Sequence, residues 1–85
     1  MQTVSDLIAF RKQLGLTQAE LADRIGLGRR AYQEIEAGRS NLRPLHIAAV
    51  ERIALGLAIE RNEPMLAPAS IRKEALTLAR LITGD

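Results

Sequence analysis

Within this 85-residue chain, the side chains with the most chemical reach cluster at Arg29, Arg30, Gln33 and Glu34. Wound at about 100° per residue from Arg29, these four and Ala37 fall between zero and roughly 140°, whereas Ala31, Tyr32 and Ile35 fall between roughly 200° and 300°. The pattern predicts a short helix buried along one side, with arginine, glutamine and glutamate on the other. Arginine can donate to both acceptors of guanine, glutamine can pair bidentately with adenine, and glutamate can accept from the cytosine amino group. A helix whose first turn enters a major groove brings such side chains closest to base edges. The plainer alternative is a solvated bridge between Arg30 and Glu34, worth about 0.3–0.5 kcal/mol at this helical spacing.

Charge is concentrated around the same segment. Residues 24–43 hold five arginines against Glu34 and Glu36, a net +3, while residues 1–23 sum to −1 and residues 44–85 to zero. A local excess of this kind attracts phosphate, although solvated arginines are common on protein surfaces. Catalytic chemistry finds little to rest on. His46 is the single histidine and there is no cysteine, so a disulfide framework, a thiolate site and a multi-ligand metal site are all without material. Ser5, Ser40 and Ser70 have no other candidate base, and "GLGRRA" lacks the preceding strand and the lysine of a phosphate-cradling loop. No enzyme activity, cofactor or metal is expected.

The elements that must hold these side chains can be read from caps and breakers. Apolar content comes almost wholly from Leu, Ile and Ala, with Phe10 and Tyr32 the only aromatics, which suits helices rather than strands. Thr3 to Asp6 has capping-box spacing and opens a first helix over residues 4–14. Thr17 to Glu20 is a fuller capping box and opens a second over residues 18–25, stopped at Gly26. Leu27 plugs the corner, Gly28 is the N-cap, and the third helix covers residues 29–37. Pro44 fits the first position of a fourth helix over residues 44–60, apolar on more than one side and therefore expected to be buried on several faces. "RNEPMLAPAS" is a linker broken by Pro64 and Pro68. A fifth helix over residues 69–82 sets Ile71, Ala75, Leu78, Ala79 and Ile82 on one stripe and leaves Leu76 and Leu81 outside it.

Two charged residues on these helices should meet. Arg11 follows Leu7 onto the inner side of the first helix, and Glu36 borders the apolar face of the third. A partly buried charge needs a partner, so Arg11 and Glu36 are expected within hydrogen-bonding distance, a structural ion pair.

The segment "RKQLGLTQAELADRIGLGRRAYQEIEAGRSNLRPLHIAAVERIAL", residues 11–55, resembles the XRE family of helix-turn-helix DNA-binding domains, the class of the phage repressor and Cro proteins. "TQAELA", Gly26 at the turn and "IEAG" sit at the family's spacing. The resemblance implies an all-α, five-helix lambda-repressor-like domain, its helix-turn-helix formed by the second and third helices, with double-stranded DNA as partner. It places Arg29, Arg30 and Glu34 at base-facing positions, with Gln33 beside them. It puts Gln18 on phosphate, with Thr17 and Gly28 on that side, and gives Arg39, Ser40, Asn41 and Arg43 to a phosphate-gripping loop. In some members the positions of Arg11 and Glu36 are paired. Two departures stand out: Gly28 where Ser or Thr is usual, and Tyr32 where a smaller aliphatic is common. Tyr32 reads as a core aromatic whose hydroxyl needs a partner, with a phosphate contact as the alternative.

Residues 1–62 thus read as the helix-turn-helix domain and residues 63–85 as a linker with a C-terminal dimerisation helix. The apolar surplus of the fourth and fifth helices predicts a homodimer with Leu76, Leu78, Leu81 and Ile82 at its interface, set against the alternative that the fifth helix merely caps the monomer core. A sequence-specific regulator, a repressor on a palindromic operator, is the leading expectation. The alternative is a protein-binding module or antitoxin holding a partner such as a toxin on its last two helices. No signal peptide or membrane span is evident, which reads as a cytoplasmic protein without membrane contact.

Overall fold

Two threonines start the first two helices. In the computed structural model, which describes residues 1–84, α1 (Val4–Gln13) is capped by Thr3, whose Oγ1 accepts from the Asp6 N–H at 3.1 Å. The Asp6 carboxylate accepts in turn from the N–H groups of Gln2 and Thr3 at 2.9 and 3.1 Å. At α2 (Gln18–Ile25), Thr17 Oγ1 accepts from the Glu20 N–H at 3.1 Å and Glu20 Oε1 from the Thr17 N–H at 2.9 Å. Each box satisfies otherwise orphaned first-turn donors. The backbone N–H bonds also hold the Asp6 and Glu20 carboxyls below their ordinary values.

Gly26 closes α2 in the left-handed region at φ 74°, where a Cβ is strained and glycine is not. Its corner turns the chain into α3 (Arg29–Glu36), followed by α4 (Pro44–Glu60) and α5 (Ala69–Thr83). Five α-helices and no strand are present among the described residues. Two ends fall short of expectation: Leu14 is the C-cap of α1 and Ala37 that of α3, each still αR but outside the helix.

The core is small and aliphatic. Leu7, Leu14, Leu16, Leu21, Ala22, Tyr32, Ile35, Val50, Ala54 and Leu57 form one buried cluster, with α2 against α3 and α4, and α1 against α3. The Arg61 guanidinium reaches back to the Leu14 carbonyl at 2.7 Å, fastening the end of α4 to the end of α1.

The C-terminal third differs from its sequence pattern. Residues 61–68 are not a loose linker: Pro64–Leu66 forms a 3₁₀ turn against α4, Leu66 packs on the core and Ala67 is buried. α4 packs against α2, the 3₁₀ turn and α5, burying Val50, Ala54, Leu57 and Ala58 and half-burying Ile47, Ile53 and Leu55, and leaves Leu45 and Ile59 exposed near its two ends. No residue of α5 is buried. Only its start is held, with Ile71 and Ala75 half-buried and Arg72 donating to the Ala67 carbonyl. The predicted stripe is therefore covered only at those two residues, while Leu78, Ala79 and Ile82 are as open as Leu76 and Leu81. Length is not the cause, since α4 has 17 residues and α5 has 15; past its start α5 stands off from α4 across an open apolar groove, so its later turns have no packing partner among the described residues.

Candidate nucleic-acid interface

The seat of α3 is made by a single carboxylate. Glu36, with a side chain only 5% exposed, accepts from Arg11 Nε at 2.7 Å and Arg11 Nη2 at 3.1 Å. It also accepts from Gln18 Nε2 at 2.9 Å and the Tyr32 hydroxyl at 2.5 Å. Arg11 spends its remaining terminal nitrogen on the Leu16 carbonyl at 3.0 Å. Four donors fill the acceptor capacity of a carboxylate, and they come from α1, α2 and α3. Burial pushes the Glu36 carboxyl up, but the bonds from Arg11, Tyr32 and Gln18 outweigh it and hold the group below its ordinary value. Burial, reinforced by the Glu36 bond, pushes the Tyr32 phenol well up. Tyr32 is thus a core aromatic with its hydroxyl satisfied, 1% exposed, and Ile35 lies beside it. Ala31, expected on the same buried side, is exposed.

Seated in this way, α3 turns Arg29, Arg30 and Gln33 fully outward. Glu34 is different. It is half-buried and accepts from Arg39 Nε at 2.5 Å and Arg39 Nη2 at 3.2 Å, a partner five residues on rather than Arg30. Arg39 holds the Glu34 carboxyl below its ordinary value and is itself raised by the pair. The Glu34 carbonyl also accepts the N–H groups of Arg39 and Ser40 at 2.9 and 3.1 Å. This residue anchors the start of the loop as well as standing on the outer face.

Arg39, Ser40, Asn41 and Arg43 are exposed together after α3 and border a depression of about 400 Å³ that reaches His46. His46 Nδ1 accepts from the Arg43 N–H at 3.0 Å and so caps α4. Gly28 provides no side-chain cap to α3. Thr17 is exposed, with its hydroxyl oxygen engaged in the α2 capping box, and Gln18 is braced by Glu36 while still partly exposed. Leu76, Leu78, Leu81 and Ile82 belong to α5 and are all exposed there.

A helix-turn-helix family model matches residues 7–54, more than half of the chain, from inside α1 to the middle of α4. The chain belongs to the XRE-type helix-turn-helix family. No curated protein and no solved structure matches it. α2 and α3 are the two helices of the motif, Gly26 to Gly28 is its turn, and α3 is the helix that presents side chains to the major groove in this class. The protein is accordingly a DNA-binding transcription regulator of lambda-repressor-like, all-α fold. No helix among the described residues is long and apolar enough to cross a membrane.

One residue on the helix-turn-helix surface escaped the sequence reading. Asp23 Oδ2 accepts from Arg29 Nη2 at 3.1 Å across the turn. A separation of six residues has no helical signature, so only the geometry of the Gly26 corner brings the two together. The Glu34 to Arg39 pair, five residues apart, was hidden for the same reason.

Proposed function

We propose that this helix-turn-helix protein is a sequence-specific repressor that binds double-stranded DNA as a homodimer on a palindromic operator. The observation that carries this reading is the outer face of α3. Arg29, Arg30 and Gln33 are exposed on a helix whose opposite side is fixed by Tyr32, Ile35 and the Glu36 network. Arg29, Arg30 and Gln33, with Glu34 at the edge, read base edges. Thr17, Gln18, Gly28, Arg39, Ser40, Asn41 and Arg43 frame that helix and take phosphate oxygens, which position the protein without specifying sequence. Such modules usually act in pairs, with reading helices about 34–36 Å apart in successive major grooves. The dimer reading is supported by the exposed Leu76, Leu78, Leu81 and Ile82 of α5. Residues 1–62 would then be the reading domain and residues 63–85 the dimerisation element, acting in the cytoplasm.

A second reading has its own observation. Between α4, the 3₁₀ turn and α5 lies an open apolar groove of about 740 Å³ lined by Leu55, Ile59, Ala75, Leu76 and Ala79. A protein partner such as a toxin seated there would make this an antitoxin-like module.

The test is fluorescence anisotropy with duplex from upstream of the protein's own gene against a scrambled duplex, at two salt concentrations. A repressor binds the native duplex more tightly by about a thousandfold or more. Replacing Arg29 and Arg30 by Ala abolishes that preference and leaves any α4–α5 partner complex intact. Equal binding to both duplexes that vanishes with salt is phosphate attraction alone and overturns the proposal.

A further inference from the structure

A carboxylate on a phosphate-facing surface repels the polyanion, so an exposed one calls for a reason. Asp23 stands in the last turn of α2, between the two helices of the motif, with its side chain 59% exposed. Its partner among the described residues is Arg29, 65% exposed, held at 3.1 Å. An ion pair this open contributes little to stability, because water competes for both ends. The fold does not need it. The Glu34 to Arg39 pair is a contrast, since Glu34 is half-buried and its backbone also ties the loop.

The geometry of the Asp23 contact fits a different task. Asp23 engages one terminal nitrogen of Arg29 and leaves Nε and Nη1 without a partner among the described residues. A guanidinium is planar and offers several N–H donors in a fixed fork. Holding one nitrogen orients the plane, while other donors remain to meet the two acceptors of guanine. An arginine on a free stem loses rotamer freedom when it binds, and holding it beforehand reduces that loss. The same carboxylate also weakens the pull of nearby phosphate on Arg29, biasing it away from the backbone and toward a base.

We propose that Asp23 is a positioning and specificity-determining residue, which holds Arg29 for guanine through the Asp23 Oδ2 to Arg29 Nη2 contact across the helix-turn-helix corner. This rests on the reading of Arg29 as a base-contacting residue. Arg30 has no such acid beside it among the described residues.

The experiment uses the full chain and a randomised duplex pool, followed by anisotropy on the selected duplex, on one with a single guanine–cytosine pair exchanged, and on a scrambled one. The unmodified protein selects guanine at one position of each half-site by about tenfold or more, and R29A loses that preference. D23A retains the rest of the site, weakens the guanine preference by about fivefold, and binds the scrambled duplex more tightly. In an R29A background, D23A leaves the guanine preference unchanged. If R29A removes the preference but D23A strengthens all duplexes equally, Asp23 is only a negative charge and the proposal is overturned. If R29A leaves every position unchanged, the reading of Arg29 itself fails, and the role of Asp23 falls with it.

Discussion

Replacing Glu36 by Gln removes one charge and alters one group in a carboxylate that four donors share, without changing side-chain size. The new amide offers a single acceptor oxygen and a nitrogen that itself donates, so at least one of Arg11, Gln18 and Tyr32 faces a donor. The Arg11 guanidinium, with a side chain 12% exposed, loses its counter-charge. Removing one partner of a buried pair costs about 3–5 kcal/mol. Against a total of about 4–13 kcal/mol for a domain of this length, that is a large fraction. Urea unfolding followed by far-UV circular dichroism at pH 7 should show it as a lower midpoint. The double variant R11M/E36Q should be less destabilised than the sum of the single variants, by about 1–3 kcal/mol. A loss below about 1 kcal/mol for E36Q, or strict additivity in the cycle, would refute the claim that this pair is a desolvated hub. The acid limb provides a second reading. Because the Glu36 carboxyl lies below its unfolded value, its contribution is present above the unfolded pKa of about 4.5 and is lost as pH falls through the folded value. E36Q should flatten that limb, leaving the share that belongs to Asp6, Glu20 and Glu34, which are depressed in the same direction.

Three further outcomes follow from other features. Tyr32→Phe deletes a hydroxyl that donates to a buried carboxylate, and urea unfolding should show a loss of about 1.5–3 kcal/mol. Because the Tyr32 phenol is raised, its contribution holds below the unfolded pKa of about 10 and is lost as pH climbs above it; Y32F should flatten the alkaline limb. Thr17→Ala removes the α2 capping box and should lower stability by about 1 kcal/mol, visible as a shift of the thermal midpoint. Sedimentation or light scattering at micromolar concentration should report twice the chain mass, falling to one chain in a Leu78→Glu/Ile82→Glu variant that keeps its circular dichroism spectrum; a single-chain mass for the unmodified protein would sink the dimer reading.

Much of the fold was legible because its signals are local. The two capping boxes, Gly26 and Pro44 fix helix starts and stops within a few residues of sequence, and the structure honours each of them. The face of α3 was legible for the same reason, except at Ala31, which sits at the edge of its arc. Arg11 and Glu36 could be anticipated because two charges pointed inward have few other ways to be satisfied. What stayed hidden depends on reach across corners. Asp23 meets Arg29 only once the turn has been built, and Glu34 chooses Arg39 over the helically spaced Arg30 because the loop folds back onto its carbonyl. The α5 stripe misled because periodicity reports that a helix has an apolar side without saying that a neighbour packs against it along its whole length.

That uncovered helix has an evolutionary consequence. With no buried residue on α5, substitutions along most of its length leave the packing of α1 to α4 untouched, and substitutions on the outer face of α3 do the same from the opposite direction. One short chain therefore carries two surfaces free to drift independently of the core and of each other. Duplicated copies can diverge in what they read on DNA, in what they associate with, or in both, so that sister regulators in one cell become insulated without either having to refold.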